Sequence, residues 1–337
     1  MLVLGIDTSC DETSVGIVRD GREILANRIS SQVALHRPFG GVVPEIAGRS
    51  HLRRLIPVLE EAFREAGARP ADLDAVAATC RPGLIGALLV GLSGAKALAW
   101  RLGIPFLGID HIQAHLHAAW MTDPDLPFPC VALIASGGHT ALFYMEEPGK
   151  GLRMGRTLDD AAGEALDKAA ALLGLGYPGG PALEEAARRA DRPAEPPFPL
   201  PLKGRKGFDF SFSGIKTALR LRVEEAGPLS PAETARLARA FQETVVEHLT
   251  DRCAAALRET GAGALAIGGG VARNSLLRET LSRKARGVRL VFPPPDLCSD
   301  NGAMVAGLAS LRLARGEKDP LDLPASPRTT FQELPRR

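Results

Sequence analysis

Apolar and polar positions along the chain fall into two blocks that open in the same way. Leu2-Val3-Leu4-Gly5-Ile6-Asp7 is an apolar run ending in a carboxylate, the pattern of a buried strand. Residues 8–12 form a polar turn, 13–18 a second strand, and Gly21 turns the chain into a third. Gly40-Gly41-Val42-Val43-Pro44-Glu45 breaks the pattern. Residues 49–65 then carry Leu52, Leu55, Ile56, Leu59 and Phe63 at helical spacing, which predicts an amphipathic helix. A strand at 74–79 and a Pro82-Gly83 turn lead to an almost chargeless helix at 84–102, expected to lie against a sheet or a partner. A strand at 104–109 runs into an Ala- and Leu-rich helix that begins at His111.

Thr122-Asp123-Pro124-Asp125-Leu126-Pro127 reads as a linker, after which the opening pattern recurs. Residues 130–135 are a strand, Ser136-Gly137-Gly138-His139-Thr140 a turn, 141–145 a strand, and Gly151 starts another. Two blocks that begin alike predict a duplicated α/β unit with a ligand cleft between the copies. The boundaries fall at 1–127 for an N-terminal lobe and 128–299 for a C-terminal lobe, with a closing segment at about 300–325, its helical pattern running from Gly302 to Ala314, packed back on the first lobe. In the second block, residues 159–173 read as a helix carrying Glu164, Asp167 and Lys168, followed by the turn Gly176-Tyr177-Pro178-Gly179-Gly180-Pro181. A proline-rich basic stretch at 192–206 looks irregular, and a long helix runs from Ser230 to about Thr260. Leu265-Ala266-Ile267 is a strand entering Gly268-Gly269-Gly270, where a glycine turn before a helix N-terminus suits an anion or nucleotide. A tight turn with no ligand fits that stretch equally well. It is neither Gly-x-Gly-x-x-Gly nor a P-loop.

Composition narrows the class. The 337 residues suggest two domains, and 45% hydrophobic with 24% charged residues is ordinary for a globular protein. The first strand is preceded by no basic leader or cleavage site, and Arg81, Lys96 and Arg101 interrupt the most apolar region, so no bilayer span is expected. Five scattered cysteines without a Cys-x-x-Cys pair point to a reducing cytoplasm and away from a thiolate metal site. A formal net charge of +2 means that nucleic acid must be met by local basic patches. One candidate joins Lys203, Arg205, Lys206 and Lys216 to the aromatics of Phe208-Asp209-Phe210-Ser211-Phe212-Ser213-Gly214-Ile215-Lys216-Thr217. The phenylalanines are better read as anchors to the core.

Candidate chemistry centres on His111-Ile112-Gln113-Ala114-His115. Histidines four apart on a helix share a face and can reach one metal ion. The zinc-protease pattern would need glutamate at position 112, which is isoleucine, so a metal site without a protease is implied. Asp300, in the Ser299-Asp300-Asn301 cap before the last helix, becomes a third ligand if that helix returns to the cleft. The turn Asp7-Thr8-Ser9-Cys10-Asp11-Glu12-Thr13 holds three carboxylates, more acid than a turn needs, and suits a loop facing phosphate or metal or supplying a base.

These motifs, together with Asp160-Ala161-Ala162-Gly163-Glu164-Ala165, Tyr177-Pro178-Gly179-Gly180-Pro181 and Ser299-Asp300-Asn301-Gly302-Ala303, resemble the bacterial TsaD family over nearly the whole chain. The resemblance implies an acetate-kinase, sugar-kinase, Hsp70 and actin-like fold. It also implies transfer of threonylcarbamoyl from threonylcarbamoyl-AMP to N6 of the adenosine beside the anticodon of tRNA. Carried over by motif, His111, His115 and Asp300 would hold one divalent metal, Fe(II) before Zn(II). Ile134, Ala135, Ser136, Gly137, Gly138, Asp167, Gly180 and Asn274 would bind the adenylate, with Glu184 at the ribose. Asp11 and Glu12 would act in the chemistry. The family's partners would be a small paralogue of the same fold (TsaB) and a P-loop ATPase (TsaE). The chain departs from the family at Arg81, before Pro82-Gly83, and at Asp110, which as an acid beside the ligands could tune the metal site.

Three rivals stand beside this reading. A small-molecule kinase or carbamoyltransferase of the same fold would use the same hairpin and glycine loops. A glycoprotease-type metalloprotease lacks its glutamate. In a non-catalytic switch resembling Hsp70 a metal triad would be superfluous.

Overall fold

In the computed structural model, which describes residues 1–334, the first apolar run forms β1 (Leu2–Asp7). It pairs antiparallel with β2 (Glu12–Arg19), and β2 with β3 (Glu23–Ser31). β4 (Ala75–Arg81) lies parallel to β1, and β5 (Phe106–Asp110) parallel to β4. The sheet order is β3-β2-β1-β4-β5. The second block repeats it with β6 (Cys130–Ala135), β7 (Thr140–Glu147), β8 (Lys150–Arg156), β9 (Ala264–Gly268) and β10 (Arg289–Val291), in the order β10-β9-β6-β7-β8. Read from the hairpin side, the two sheets have the same topology, as a duplicated unit requires.

The chain divides into one unit of residues 1–125 and 293–330 and another of 126–292 with 331–334. The changeovers lie two residues before the expected 127/128 boundary and seven before residue 300.

In the first unit, the short α1 (Val33–His36) precedes α2 (Pro44–Ala66) and α3 (Ile85–Leu102). α2 starts earlier than expected, with proline in its first turn, where the missing N–H costs nothing. Its buried face matches the predicted stripe only in part: Leu55 is buried and Leu59 and Phe63 pack on the core. His51, Leu55, Val58 and Ala62 face inward, while Leu52 and Ile56 are 72% and 60% exposed. α3 buries Ala87, Leu88, Gly91, Leu92, Ala95 and Ala99 and leaves Ile85, Leu89 and Trp100 exposed. By length and composition α3 would pass as a bilayer span, contrary to the expectation from its interrupting charges. It packs instead on β4 and α2, and Lys96 Nζ donates to the Leu323 carbonyl at 2.6 Å.

α4 (His111–Thr122) follows β5, and α10 (Pro295–Cys298) and α11 (Gly302–Ala314) complete the first unit. The closing helix spans Gly302–Ala314, the residues whose pattern predicts it; only the wider bound of 300–325 overshoots, because Gly316 takes φ 79° and the chain beyond it is irregular. α11 lies on the β1–β2 backbone, where only glycines allow the approach. A Cβ on Gly302 would fall 2.2 Å from Gly16 N, and one on Gly5 2.4 Å from Ala306 N.

The second unit holds α5 (Ala162–Leu172), α6 (Gly179–Arg188), α7 (Ser213–Ala226), α8 (Pro231–Thr260) and α9 (Ser275–Lys284). α5 starts three residues after the predicted position because Asp159 serves another helix. Its carboxylate accepts from the Phe212 and Ser213 amides at 2.7 and 3.2 Å and from the Ser211 and Ser213 hydroxyls, fixing the start of α7. Phe210 and Phe212 are fully buried, with the His248 ring edge-on to both, so the phenylalanines anchor the loop. Lys216 is paired with Asp160.

Candidate functional site

β1, β4 and β5 run parallel, so Asp7 and Asp110 end their strands at the same edge of the sheet. α4 starts there, with His111 4% and His115 1% exposed. Asn301 is the N-cap of α11, its side chain accepting from Met304 N at 2.9 Å, so the neighbouring Asp300 is not needed as the cap. Ser14 and Asn27 accept from the Gly302 and Ala303 amides at 2.6 and 3.3 Å and fix the helix end. Asp300 Oδ1 then lies 3.4 Å from His111 Nε2 and 3.1 Å from His115 Nε2. Candidate ligand atoms of the three residues all lie within 4.8 Å of one another.

The carboxylate that orients His111 is Asp7. Its Oδ2 is 2.8 Å from His111 Nδ1, while Oδ1 accepts the Ser9 amide at 2.8 Å. A carboxylate on Nδ1 holds the proton there and leaves Nε2 a lone pair, the usual arrangement behind a metal-binding imidazole. Asp110 caps α4, Oδ1 accepting from Ile112 N and Gln113 N and Oδ2 from the Thr329 hydroxyl at 2.7 Å, while its charge lies close enough to interact with His111. His115 Nδ1 has no hydrogen-bond partner among the described residues; the ring is held through Nε2 on Asp300 and by edge contact with the His111 ring.

Charge follows this geometry. Burial works against ionised Asp300, yet His111 and His115 hold its carboxyl well below the usual range. Burial likewise opposes a charged His111, but Asp300 and Asp7 raise it well above the ordinary imidazole value. His115 is lowered by burial. A compact cluster of two imidazoles and one carboxylate, with an outer carboxylate, fits Fe(II) or Zn(II).

In the β1–β2 turn, Asp11 is 8% exposed and Glu12 is half-buried. Glu12 is pushed well above the carboxylate range by burial, then by the charges of Asp11 and Asp300, and Ser31 Oγ donates to it at 3.2 Å. The Pro82-Gly83 turn docks here: Leu84 N donates to Ser9 O at 2.9 Å, and a Gly83 Cβ would fall 2.6 Å from that oxygen.

The second unit gathers the other candidates at the matching edge of its sheet. Ile134 and Ala135 end β6, and Ser136-Gly137-Gly138 forms the turn closed by Ser136 N to His139 O at 2.8 Å. Gly269, at φ 86°, seats the β9 turn on this edge, since a Cβ would fall 2.4 Å from Ala135 O. Gly163 N donates to Ser136 O at 3.1 Å. Asp167 accepts from Gly179 N and Gly180 N at 2.8 and 3.1 Å. Glu184 meets Asn274 Nδ2 at 3.4 Å and Ser275 N at 3.1 Å. With Asn274 Oδ1 on Leu277 N at 3.0 Å, the first turn of α9 already has acceptors within the protein.

An α/β protein with this duplicated topology has the actin-like ATPase and sugar-kinase fold. Component A of Acidaminococcus fermentans (R)-2-hydroxyglutaryl-CoA dehydratase shares the fold at TM-score 0.57, 16% identity, 94% of this chain and 99% of that one. HypF from T. kodakarensis does so at 0.60 and 17%, covering 93% of this chain and 48% of that one. Sequence is more specific. The TsaD family, described as tRNA N6-adenosine threonylcarbamoyltransferase, matches residues 23–307. A Thermus thermophilus protein of that name is 50% identical over 97% of this chain and 98% of its own. That of Symbiobacterium thermophilum is 48% identical over 97% and 96%. The chain belongs to the tRNA N6-adenosine threonylcarbamoyltransferase family; it is a transferase that modifies tRNA.

Proposed function

We propose that the chain moves threonylcarbamoyl from threonylcarbamoyl-AMP to the adenosine N6 beside the anticodon, assisted by one divalent metal. The observation that carries the reading is the convergence of His111, His115 and Asp300 within 4.8 Å, with Asp7 orienting His111. These three residues would hold Fe(II), or Zn(II), which when bound would polarise an oxygen of the substrate. Asp11 or Glu12 takes the proton as N6 attacks the carbamoyl carbon, the new C–N bond forms, and the C–O bond to the adenylate breaks. Adenosine N6 is a poor base, so a positioned carboxylate that takes its proton during attack is chemically useful. Ile134 to Gly138, Asp167, Gly180, Glu184 and Asn274 hold the adenylate; their gathering around the β6 edge and the exposed Gly137-Gly138 backbone support this role.

A small paralogue (TsaB) and a P-loop ATPase (TsaE) are the proposed partners. The outward Leu52 and Ile56 of α2 and Leu89 of α3 form the candidate docking face.

The test is single-turnover transfer to tRNA from threonylcarbamoyl-AMP, read by mass spectrometry, with the metal-loaded chain alone and with partners. No modified adenosine under any of these conditions would refute the adenylate reading.

A further inference from the structure

The acidic turn is gripped from outside by a buried polar chain that touches no candidate metal ligand. His51 Nε2 lies 2.9 Å from the Cys10 carbonyl oxygen. A carbonyl only accepts, so Nε2 carries the proton and Nδ1 a lone pair. Nδ1 faces two donors, the Thr13 hydroxyl at 2.8 Å and the Gln32 amide nitrogen at 3.2 Å. The Gln32 contact is the looser one, since the same nitrogen is 3.4 Å from Nε2; the Cys10 carbonyl sets the tautomer and Thr13 donates to the Nδ1 lone pair.

Gln32 adds a second grip, its backbone N–H donating to the Asp11 carbonyl at 3.0 Å. Its Oε1 accepts from His36 Nε2 at 3.2 Å, and His36 Nδ1 accepts the Val43 amide at 3.3 Å. A directed chain therefore runs from the Gly40–Pro44 loop to the turn. The carbonyls of Cys10 and Asp11, on either side of the Asp11 side chain, are both fixed by it. His51, His36, Gln32 and Thr13 are 0%, 0%, 2% and 0% exposed, so each lost bond would leave a buried polar atom unpaired.

We propose that His51 is a positioning residue for the transfer step, its neutral ring aiming Asp11 and Glu12 by holding the Cys10 carbonyl. Burial keeps this ring below the ordinary imidazole value, consistent with its neutral role. The inference rests on the reading of Asp11 or Glu12 as the base.

The experiment compares His51→Leu, His51→Gln and Thr13→Val in the metal-loaded protein, measuring single-turnover transfer, adenylate Kd, metal content and melting. A misplaced reacting group of about 1 Å costs on the order of 100-fold, so His51→Leu should slow transfer by about 10- to 100-fold. Adenylate Kd and metal content should not change. His51→Gln, whose amide N–H can reach Cys10 O, should recover part of the rate, and Thr13→Val should lose a smaller part. If His51→Leu does not fold, the glutamine and valine variants decide. Transfer at the parent rate in the folded variants overturns the inference, as does a loss of rate that only follows a loss of adenylate affinity. Asp11→Asn and Glu12→Gln run in parallel. If both transfer normally, the base assignment falls and this inference with it; if they are slow while His51 variants are not, only the positioning role fails.

Discussion

Asp7→Asn is the sharpest test of the metal centre, because it changes one atom of a residue that is itself no proposed ligand. Asp7 is fully buried and has two occupied oxygens, Oδ1 on the Ser9 amide and Oδ2 on His111 Nδ1, each at 2.8 Å. An asparagine has one acceptor for these two donors. If its oxygen stays on Ser9, its NH2 faces His111 Nδ1–H, and the imidazole must move its proton to Nε2. That nitrogen then has no lone pair for a metal. If the amide flips, the Ser9 N–H of the acidic turn faces a donor instead. Losing an outer partner of a ligating histidine lowers metal affinity by about 10- to 100-fold, which is about 1.4–2.7 kcal/mol. The measurement is titration of metal-free protein against a competing chelator, with melting of both proteins as control. A folded Asp7→Asn variant with the parent metal affinity would refute the outer-carboxylate argument.

Gly302→Ala should disturb fold and site together. Its methyl would sit 2.2 Å from Gly16 N, a backbone atom that cannot give way, so α11 must shift at a cost of about 1–3 kcal/mol or more. Denaturation should show that loss and elemental analysis a loss of metal; an unchanged midpoint and metal content would contradict it. His248 should make the second unit sensitive to acid. Burial, then the Arg252 charge, lowers it to about 4, and its Nε2 accepts the Ser211 amide at 3.2 Å, which needs the neutral ring. The unfolded chain takes up this proton near pH 6.5 and the folded chain only near 4, so stability falls as pH drops between them, by at most about 3 kcal/mol. Urea midpoints at pH 7 and 5 should separate less in His248→Gln than in the parent; an equal separation would assign the effect elsewhere. Leu52→Glu with Ile56→Glu should leave melting of the isolated chain within about 0.5 kcal/mol. The double variant should weaken pull-down of the small paralogue, and undiminished binding would remove this face from the interface. A charge at Leu55, only 5% exposed, should unfold the chain instead.

What could be read from the residues alone was what local pattern encodes. Each hairpin announces itself through an apolar run, a turn and a second run, and the His-x-x-x-His spacing already places two imidazoles on one helical face. Pattern fails where two readings share the same residues. On α2 the apolar stripe through Leu52 and Ile56 overlaps the one that packs, at 51, 55, 58 and 62, and the packed face includes a histidine and an alanine. Hydropathy finds Leu55, Val58 and Ala62 but not His51, which is buried for its hydrogen bonds to Thr13 and Cys10 and not for its transfer energy. Long-range partners fail for a related reason. Asp110 adjoins His111 in the chain, yet as the N-cap of α4 its carboxylate is spent on amides one turn into the helix. Asp7 is 104 residues away and reaches the ring because β1 and β5 run in the same direction and end at the same edge of one mixed sheet. Asp300 follows the same logic. The residue after it takes over the cap, and three glycines let α11 sit on β1 and β2, so its carboxylate is delivered to the histidines by backbone contact. The glycines at 5, 16 and 302 are therefore as much a part of the candidate metal centre as the residues that face it.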